Sequence, residues 1–399
     1  MNILIITQYF PPETGALASR WGDYTKEMVK LGHKVTVLCQ TPSYPIGSYY
    51  NGFTLSWLSR EKISPNLTIL RSANFANKRI SLFQKLSHYF VFMFSAMINS
   101  LKIKKPDLVI VSSPPLFVGL VGMFYKKIKS SEFWLDLRDL WPESAQAIGQ
   151  MKKGFFYKIG KKIELAIYES AKGFIVPVPS FDNYLKKIPK NKNKPVLSLV
   201  NGVSKDYLDI VKCFNAKKNS SFTILYSGNI GYAQDLFTLI DVANELSDFK
   251  IKFKIIGDGA NKDSVINYAR KCSNISIQSS MPRYDLVSEI MSSSICIVPL
   301  INSPLFDKSL PSKIFEYMAC GKPIIASIDG DVKNLLNVSS AGIFVEPENS
   351  LKLTEAIIYY YNHPEKRIQD GKNGKLYVEK NLIKENLIKT MFNIMQDCN

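Results

Sequence analysis

Short apolar runs alternate with helix-length segments along almost the whole chain, and that alternation leaves few folds open. Strands separated each time by a helix argue for parallel sheets with helices on both faces. In the first half the pattern predicts strands near 2–7, 34–39, 67–71, 108–112, 132–137, 174–177 and 196–200, with helices near 16–31, 81–103, 115–129, 154–171 and 180–187. In the second half it predicts strands near 222–227, 251–256, 275–277, 295–299, 323–327 and 343–345. Helices are expected there near 234–247, 261–272, 283–292, 311–320, 331–336 and 350–362, with more helix from 364 onward. A chain of 399 residues is too long for one typical core and suits two. The turn dipeptide Asn201-Gly202 marks the break. The expected architecture is α/β, with two doubly wound, Rossmann-like domains at 1–200 and 201–380 facing across a cleft. Ligands of such sheets bind at the carboxyl ends of the strands. That rule would collect Gly15, Ser113-Pro114, Arg138-Asp139, Gly228-Asn229, Gly257-Asp258 and the 311–316 helix.

Apolar residues make up 46% of the chain, enough to build full cores and to exclude a disordered class. Asn2-Ile3-Leu4-Ile5-Ile6 runs straight into a turn without a signal-peptide pattern, and no apolar run approaches the roughly 20 residues of a membrane span. The six cysteines are scattered without paired spacing and are expected as reduced thiols of a cytoplasmic protein. Of the net charge of +17, residues 78–194 hold +13, from 21 basic and 8 acidic side chains. Nucleic acid is not expected as the partner, because no zinc-finger, RNP or basic-helix motif accompanies the charge. An anionic membrane surface fits better, since each basic residue near one is worth about 1 kcal/mol. Plain solvation of the lysines is the simpler alternative.

The segment from Leu310 to Ala326 reads as a short helix followed by a buried strand. Ser312 is placed to cap the helix with its hydroxyl, Gly321 and Pro323 end it, and Ile324-Ile325-Ala326 begins the strand. Lys313 puts a cation in the first turn, where the helix dipole disfavours it. A positive helix end with a lysine beside it suits a phosphate, and a carboxylate one turn on, Glu316, suits the vicinal hydroxyls of a ribose. Together they describe a nucleotide-sugar site. An ordinary amphipathic helix with Lys313 and Glu316 solvated would carry the same residues. Asp329-Gly330-Asp331 has the spacing of a metal-binding Asp-x-Asp, but it follows a strand as a turn and helix cap would. No metal is expected. The three histidines, His33, His88 and His363, fall away from the expected cleft loops, which argues against His-based catalysis.

This segment resembles the signature of glycosyltransferase family 4, the retaining GT-B enzymes, whose helix carries Glu-Ala/Tyr-Met-Ala-x-Gly-x-Pro. Other pieces resemble the family in its order: Met1 to Leu17, Gly32-His33-Lys34-Val35-Thr36-Val37, Asn201-Gly202-Val203, Ser227-Gly228-Asn229-Ile230-Gly231 and Ile256-Gly257-Asp258-Gly259. Thr41-Pro42-Ser43-Tyr44-Pro45-Ile46-Gly47, Ser113-Pro114-Pro115 and Leu137-Arg138-Asp139-Leu140-Trp141-Pro142-Glu143 narrow the likeness to bacterial O-antigen and capsule enzymes, N-acetyl-L-fucosaminyltransferases among them. The resemblance implies a GT-B fold whose last helix, 381–399 here, packs back on the first domain. It implies a UDP-sugar as co-substrate, no cofactor, and a lipid-linked saccharide as acceptor at the inner face of the cytoplasmic membrane.

In the family a Glu-x7-Glu pair meets the donor; Glu316 matches the second Glu, and Lys308 stands where the first would be. The family's diphosphate-binding Arg and Lys fall on Asn229 and on Gln234 or Asp235. Lys313 and Lys308 are therefore the expected replacements, with Asp139 as the third catalytic candidate. Glu316, Ser312, Ile314, Gly228, Asn229, Arg283 and Asp258 are the donor-side candidates, Arg283 matching the segment whose backbone meets the base. Gly15, Arg20 and Arg138 are the candidates for the acceptor and its phosphate; an Asp139–Arg138 ion pair is the structural alternative. Two rivals remain: a nucleotide-sugar epimerase of the same fold, and a non-catalytic scaffold subunit.

Overall fold

A computed structural model of the chain describes every residue except 15, 45, 78–81, 148–150, 215–220, 304–305 and 399. The chain divides into two compact units, Met1–Leu199 with Ile388–Asn399, and Val200–Leu387. Gly15, expected near the acceptor, lies outside the described residues.

The first unit is built on eight strands: β1 (Asn2–Ile6), β2 (Lys34–Gln40), β3 (Leu58–Ser64), β4 (Leu67–Ser72), β5 (Leu108–Ser113), β6 (Trp134–Leu137), β7 (Gly173–Val176) and β8 (Val196–Ser198). Their order is β3-β4-β2-β1-β5-β6-β7-β8, parallel throughout except for β3, which pairs antiparallel with β4. The sequence pattern did not predict β3. Its residues, Leu-Ser-Arg-Glu-Lys-Ile-Ser, lack the apolar content of the other strands because it is an exposed edge, held by its ladder to β4.

The second unit carries β9 (Phe222–Ser227), β10 (Ile251–Ile256), β11 (Ile275–Gln278), β12 (Ile295–Pro299), β13 (Ile324–Ser327) and β14 (Gly342–Phe344), in the order β11-β10-β9-β12-β13-β14. All pairings are parallel. Chain order runs outward from β9 in one direction and from β12 in the other. The switch point therefore lies between β9 and β12, and a crevice for ligands is expected beyond their carboxyl ends. All five residues of β12 are buried, as a strand covered by helices on both faces requires. The short helix Lys205–Lys212, also unpredicted, is capped by Ser204, whose hydroxyl accepts from the Tyr207 N–H at 3.2 Å.

One polar group fixes the helix Ala16–Lys30 to the first sheet. The Asp136 carboxylate on β6 is fully buried and accepts from Arg20 Nη2 at 3.0 Å, Trp21 Nε1 at 2.8 Å and Ser112 Oγ at 2.7 Å. Arg20 Nη2 also donates to the Leu199 carbonyl at 2.9 Å. Removing one partner of a buried pair strands the other charge, which costs about 3–5 kcal/mol. Asp136→Ala is therefore expected to lower the free energy of unfolding in urea by about that amount; a loss below about 1 kcal/mol would show that another group holds Arg20.

Candidate functional site

The site in the second unit begins where β9 ends. Gly228 follows Ser227 with φ 130°, a conformation that L side chains rarely adopt. Its N–H donates to the Ile256 carbonyl at 2.8 Å, the Ile230 N–H of the same loop donates to the Asp258 carbonyl at 2.9 Å, and the next loop returns a bond from the Asn261 N–H to the Ile230 carbonyl at 3.0 Å. The two loops cross backbone on backbone: a Cβ on Gly257 would overlap the Gly228 carbonyl oxygen. Only glycine at both positions leaves the crossing open, and it clears the space that Lys313 enters.

Lys313 opens the helix Lys313–Ala319 between β12 and β13. Its Nζ lies 3.8 Å from the centre of the Tyr226 ring and 2.8 Å from where a Gly228 Cβ would stand. A cation over an aromatic face is stabilised, more so when desolvated. None of the described carboxylates forms an ion pair with it. Burial therefore pushes its ammonium down to about 7, and the charge of Glu316, one turn along the same helix, opposes that shift only in part. The helix is tied to β9 by Tyr317, whose phenol oxygen accepts from the Ser227 N–H at 2.7 Å and lies 2.9 Å from the Ser227 hydroxyl. The Tyr226 hydroxyl donates to the Asn229 carbonyl.

The other donor-side candidates fall around this point or drop out of it. Glu316 is half-buried, and its charge is felt by both Lys313 and Tyr207. Arg283 is exposed and lies over the Tyr207 ring at 5.9 Å, so Tyr207 places it on the Glu316 flank. Asn229 turns its side-chain amide to Gln234 Oε1 at 3.3 Å. Asp258 is occupied: Lys262 Nζ lies at 2.6 Å and the Ser280 N–H at 2.8 Å, which holds its carboxyl well below the usual range.

Two expectations need correction. Ser312 adopts αR geometry and its hydroxyl caps nothing; it is exposed at the helix start. The Ile314 side chain is buried in the core and its N–H already donates to the Pro311 carbonyl at 3.1 Å, so it is not free to hold a phosphate. Lys308 sits on the 3-10 turn Phe306–Lys308, whose Asp307 carbonyl abuts Gly330. Asp329 accepts from the Gly330 N–H at 2.7 Å and pairs with Lys333 at 3.5 Å, as a turn residue does. Among the described residues no group of three or more His, Cys, Asp or Glu could hold a metal ion. Tyr226, Tyr317, Tyr207 and Gly257 complete the site; Tyr317 and Gly257 lay in motifs that the sequence singled out, Tyr226 and Tyr207 did not. The tyrosines follow strand and helix spacing and look like ordinary core residues.

The strand ends of the first unit form a second polar cluster. Arg138 follows β6; burial, with Arg20 nearby, pushes its guanidinium down to about 10, while Asp136 works in the other direction. Two guanidinium groups therefore lean on one carboxylate. Arg20 is committed to the buried pair with Asp136, which corrects its placement as a free phosphate ligand. Asp139 is half-buried, accepts from Ser144 Oγ at 2.8 Å, and is raised above the ordinary carboxyl range mainly by burial. The nearby loops converge on Glu13, whose carboxylate accepts from Gln40 Nε2 at 2.6 Å and from the N–H groups of Ser43 and Tyr44 at 2.9 Å each.

Residues 211–377 match the family described as glycosyl transferases group 1. Along nearly its whole length the chain is similar to the putative colanic acid biosynthesis glycosyl transferase WcaI of Escherichia coli K12, 23% identical across 98% of this chain and 99% of that protein. Among solved structures it is similar to sucrose-phosphate synthase from Thermosynechococcus elongatus, with a TM-score of 0.76 at 15% identity over 100% of this chain and 98% of that one. It is also similar to Anabaena HepE in complex with UDP-glucose, with a TM-score of 0.68 at 12% identity over 100% of both chains. The fold is the two-domain α/β architecture GT-B.

The state of Lys313 has a measurable consequence for stability. An unfolded lysine titrates near 10.4, whereas this one titrates near 7 in the folded chain. Between those values the unfolded state binds more protons, so the Lys313 contribution rises with pH. Below pH 7 the buried charge destabilises fully; above about 10.4 the side chain is neutral in both states. Lys313→Met should raise the thermal midpoint at pH 6 and leave it almost unchanged at pH 10. An equal shift at both pH values would overturn this account of the ammonium.

Proposed function

We propose that this chain, whose second unit carries a group 1 glycosyltransferase module, moves a sugar from a UDP donor to a saccharide carried on a lipid diphosphate. The observation that carries the reading is Lys313: a half-buried ammonium without an ion-pair partner among the described residues, set against the Tyr226 ring at the glycine crossing beyond β9. The likeness to HepE, which holds UDP-glucose, and to WcaI, named for colanic acid biosynthesis, supports a nucleotide-sugar donor and a polysaccharide product. In this reading Lys313 meets the diphosphate, Lys308 assists, and Glu316 accepts hydrogen bonds from the ribose hydroxyls. Arg283 and Tyr207 border the base.

The transfer is retaining. The acceptor hydroxyl attacks the anomeric carbon on the face that UDP leaves, the bond from that carbon to the diphosphate oxygen breaks, and the hydroxyl proton passes to a diphosphate oxygen. The products are the extended glycan and UDP. Asp139 orients the acceptor, and Arg138 meets its phosphate. The sugar is an N-acetylated deoxyhexosamine such as N-acetyl-L-fucosamine, and the product belongs to O-antigen or capsule synthesis. The enzyme works at the inner face of the cytoplasmic membrane, as a peripheral protein. Among the described residues no helix is long and apolar enough to cross a membrane. A non-catalytic scaffold is the weaker reading, because a partly desolvated ammonium with no ion pair among the described residues only destabilises a protein that has no anion to bind.

Stabilisation of the leaving group acts mainly in the transition state, so its loss lowers turnover more than binding. With a panel of UDP-sugars and a lipid-linked acceptor, Lys313→Ala should lose about 10²-fold or more in kcat. Near-normal turnover in that variant would move the diphosphate site elsewhere. Release of UDP should continue in EDTA, since the leaving charge is met by Lys313. Activity that stops on chelation and returns with Mg²⁺ would contradict the metal-independent mechanism.

A further inference from the structure

The helix Phe155–Ser170 begins with two phenylalanines that the fold leaves in solvent. Phe155 is 73% exposed and Phe156 is 70% exposed, their rings 5.8 Å apart in an edge-to-face pair. Ile159, one turn on, continues the apolar stripe at 38% exposure. Lone exposed apolar residues are common, but a contiguous aromatic pair at a helix start is not. Its surroundings are cationic. Lys152 and Lys153 precede it, Lys158 and Lys162 follow, and all four are exposed without an ion pair among the described residues. From 151 to 163 there is no acidic residue.

The helix that presents this patch is firmly held. Gly160 packs against Trp141, and Glu164, Ile167 and Tyr168 are buried. Lys161, in contrast to its neighbours, is tied to Glu143 and to Glu164 at 2.5 Å and donates to the Tyr184 hydroxyl at 2.7 Å. The aromatic pair thus sits on a rigid platform, which spares the ordering cost of a flexible loop on binding.

We propose that Phe155 and Phe156 form a wedge that enters the acyl region of an anionic bilayer, with Lys152, Lys153, Lys158 and Lys162 on the headgroups. An amphipathic helix end with aromatic residues on one side and lysines around them suits the membrane interface. A second copy of the chain is a poorer occupant. A two-fold contact through this patch would set lysines against the same lysines. The inference deepens the reading of a lipid-borne acceptor and rests on it. It places the membrane contact expected from the charge of residues 78–194 at the start of Phe155–Ser170.

The test uses the full chain and vesicles of phosphatidylglycerol and phosphatidylethanolamine. Wild type should co-sediment with them, and Phe155→Ser with Phe156→Ser should weaken partitioning at least 30-fold, by the apolar area withdrawn from lipid. Thermal stabilisation by UDP should be unchanged, which shows that the variant is folded. Lys152→Gln with Lys153→Gln should weaken binding less and flatten its salt dependence. Phe156→Trp should add an emission component that lipids brominated in the acyl chain quench; an unquenched tryptophan would place the residue outside the bilayer and overturn the wedge. Unchanged partitioning of the folded double serine variant would overturn it too while leaving the lipid-acceptor reading intact. Wild type that binds no vesicles would overturn both. A dimer that the serine variant dissociates, with vesicle binding unaltered, would assign the patch to a second copy instead.

Discussion

A half-buried ammonium without a carboxylate paired to it among the described residues is the constraint on which the second unit is arranged. Lys313 lies against the Tyr226 face and the open glycine crossing. Tyr317 then locks the helix that bears it to the end of β9. Each of these contacts is of modest strength alone. Together they fix the position of one charge, and preorganised charge is the form of stabilisation that enzymes use most heavily. Desolvation pushes the Lys313 ammonium down to about 7, so holding the charge there costs stability.

The first unit uses burial of charge differently. Asp136 satisfies Arg20, Trp21 and Ser112 at once, so Arg20 serves the sheet rather than a ligand. Arg138, beside it, feels the same carboxylate and the Arg20 charge, and burial pushes its guanidinium down to about 10. Two arginines thus share one cluster, with Arg20 fully buried on Asp136 and Arg138 half-buried beside it. The same distinction separates Lys161, locked between carboxylates, from the exposed lysines around Phe155 and Phe156.

Most of the secondary structure was legible because both sheets are parallel and buried. Strands such as β9, β10 and β12 are continuous apolar runs bounded by turn residues, and their predicted limits match those observed. The exceptions follow physical lines. The edge strand β3 is polar because water covers it, and the helix Lys205–Lys212 is too short for its periodicity to stand out. Within the candidate site, Glu316 and Lys313 were found because a charge in an otherwise apolar helix is conspicuous. Tyr226 and Tyr207 were not, and the contact of Tyr317 with Ser227 was not visible in its motif, since a tyrosine at a buried position carries no local sign of what its ring or hydroxyl touches.

The sequence by itself determined the fold class, the break near residue 200 and the place of Lys313 one turn before Glu316, because all three are written in local periodicity and spacing. Tertiary structure alone decided which of the neighbouring polar groups are spent on the fold. Ser312 and Ile314 lost their expected roles to backbone geometry at the helix start, and Arg20 lost its role to a carboxylate 116 positions away. Lys313 gained its distinctive chemistry from a ring and a glycine about 90 residues earlier in the chain. Desolvation and pairing are sums over every neighbour in space, and a linear sequence names the neighbours along the chain only.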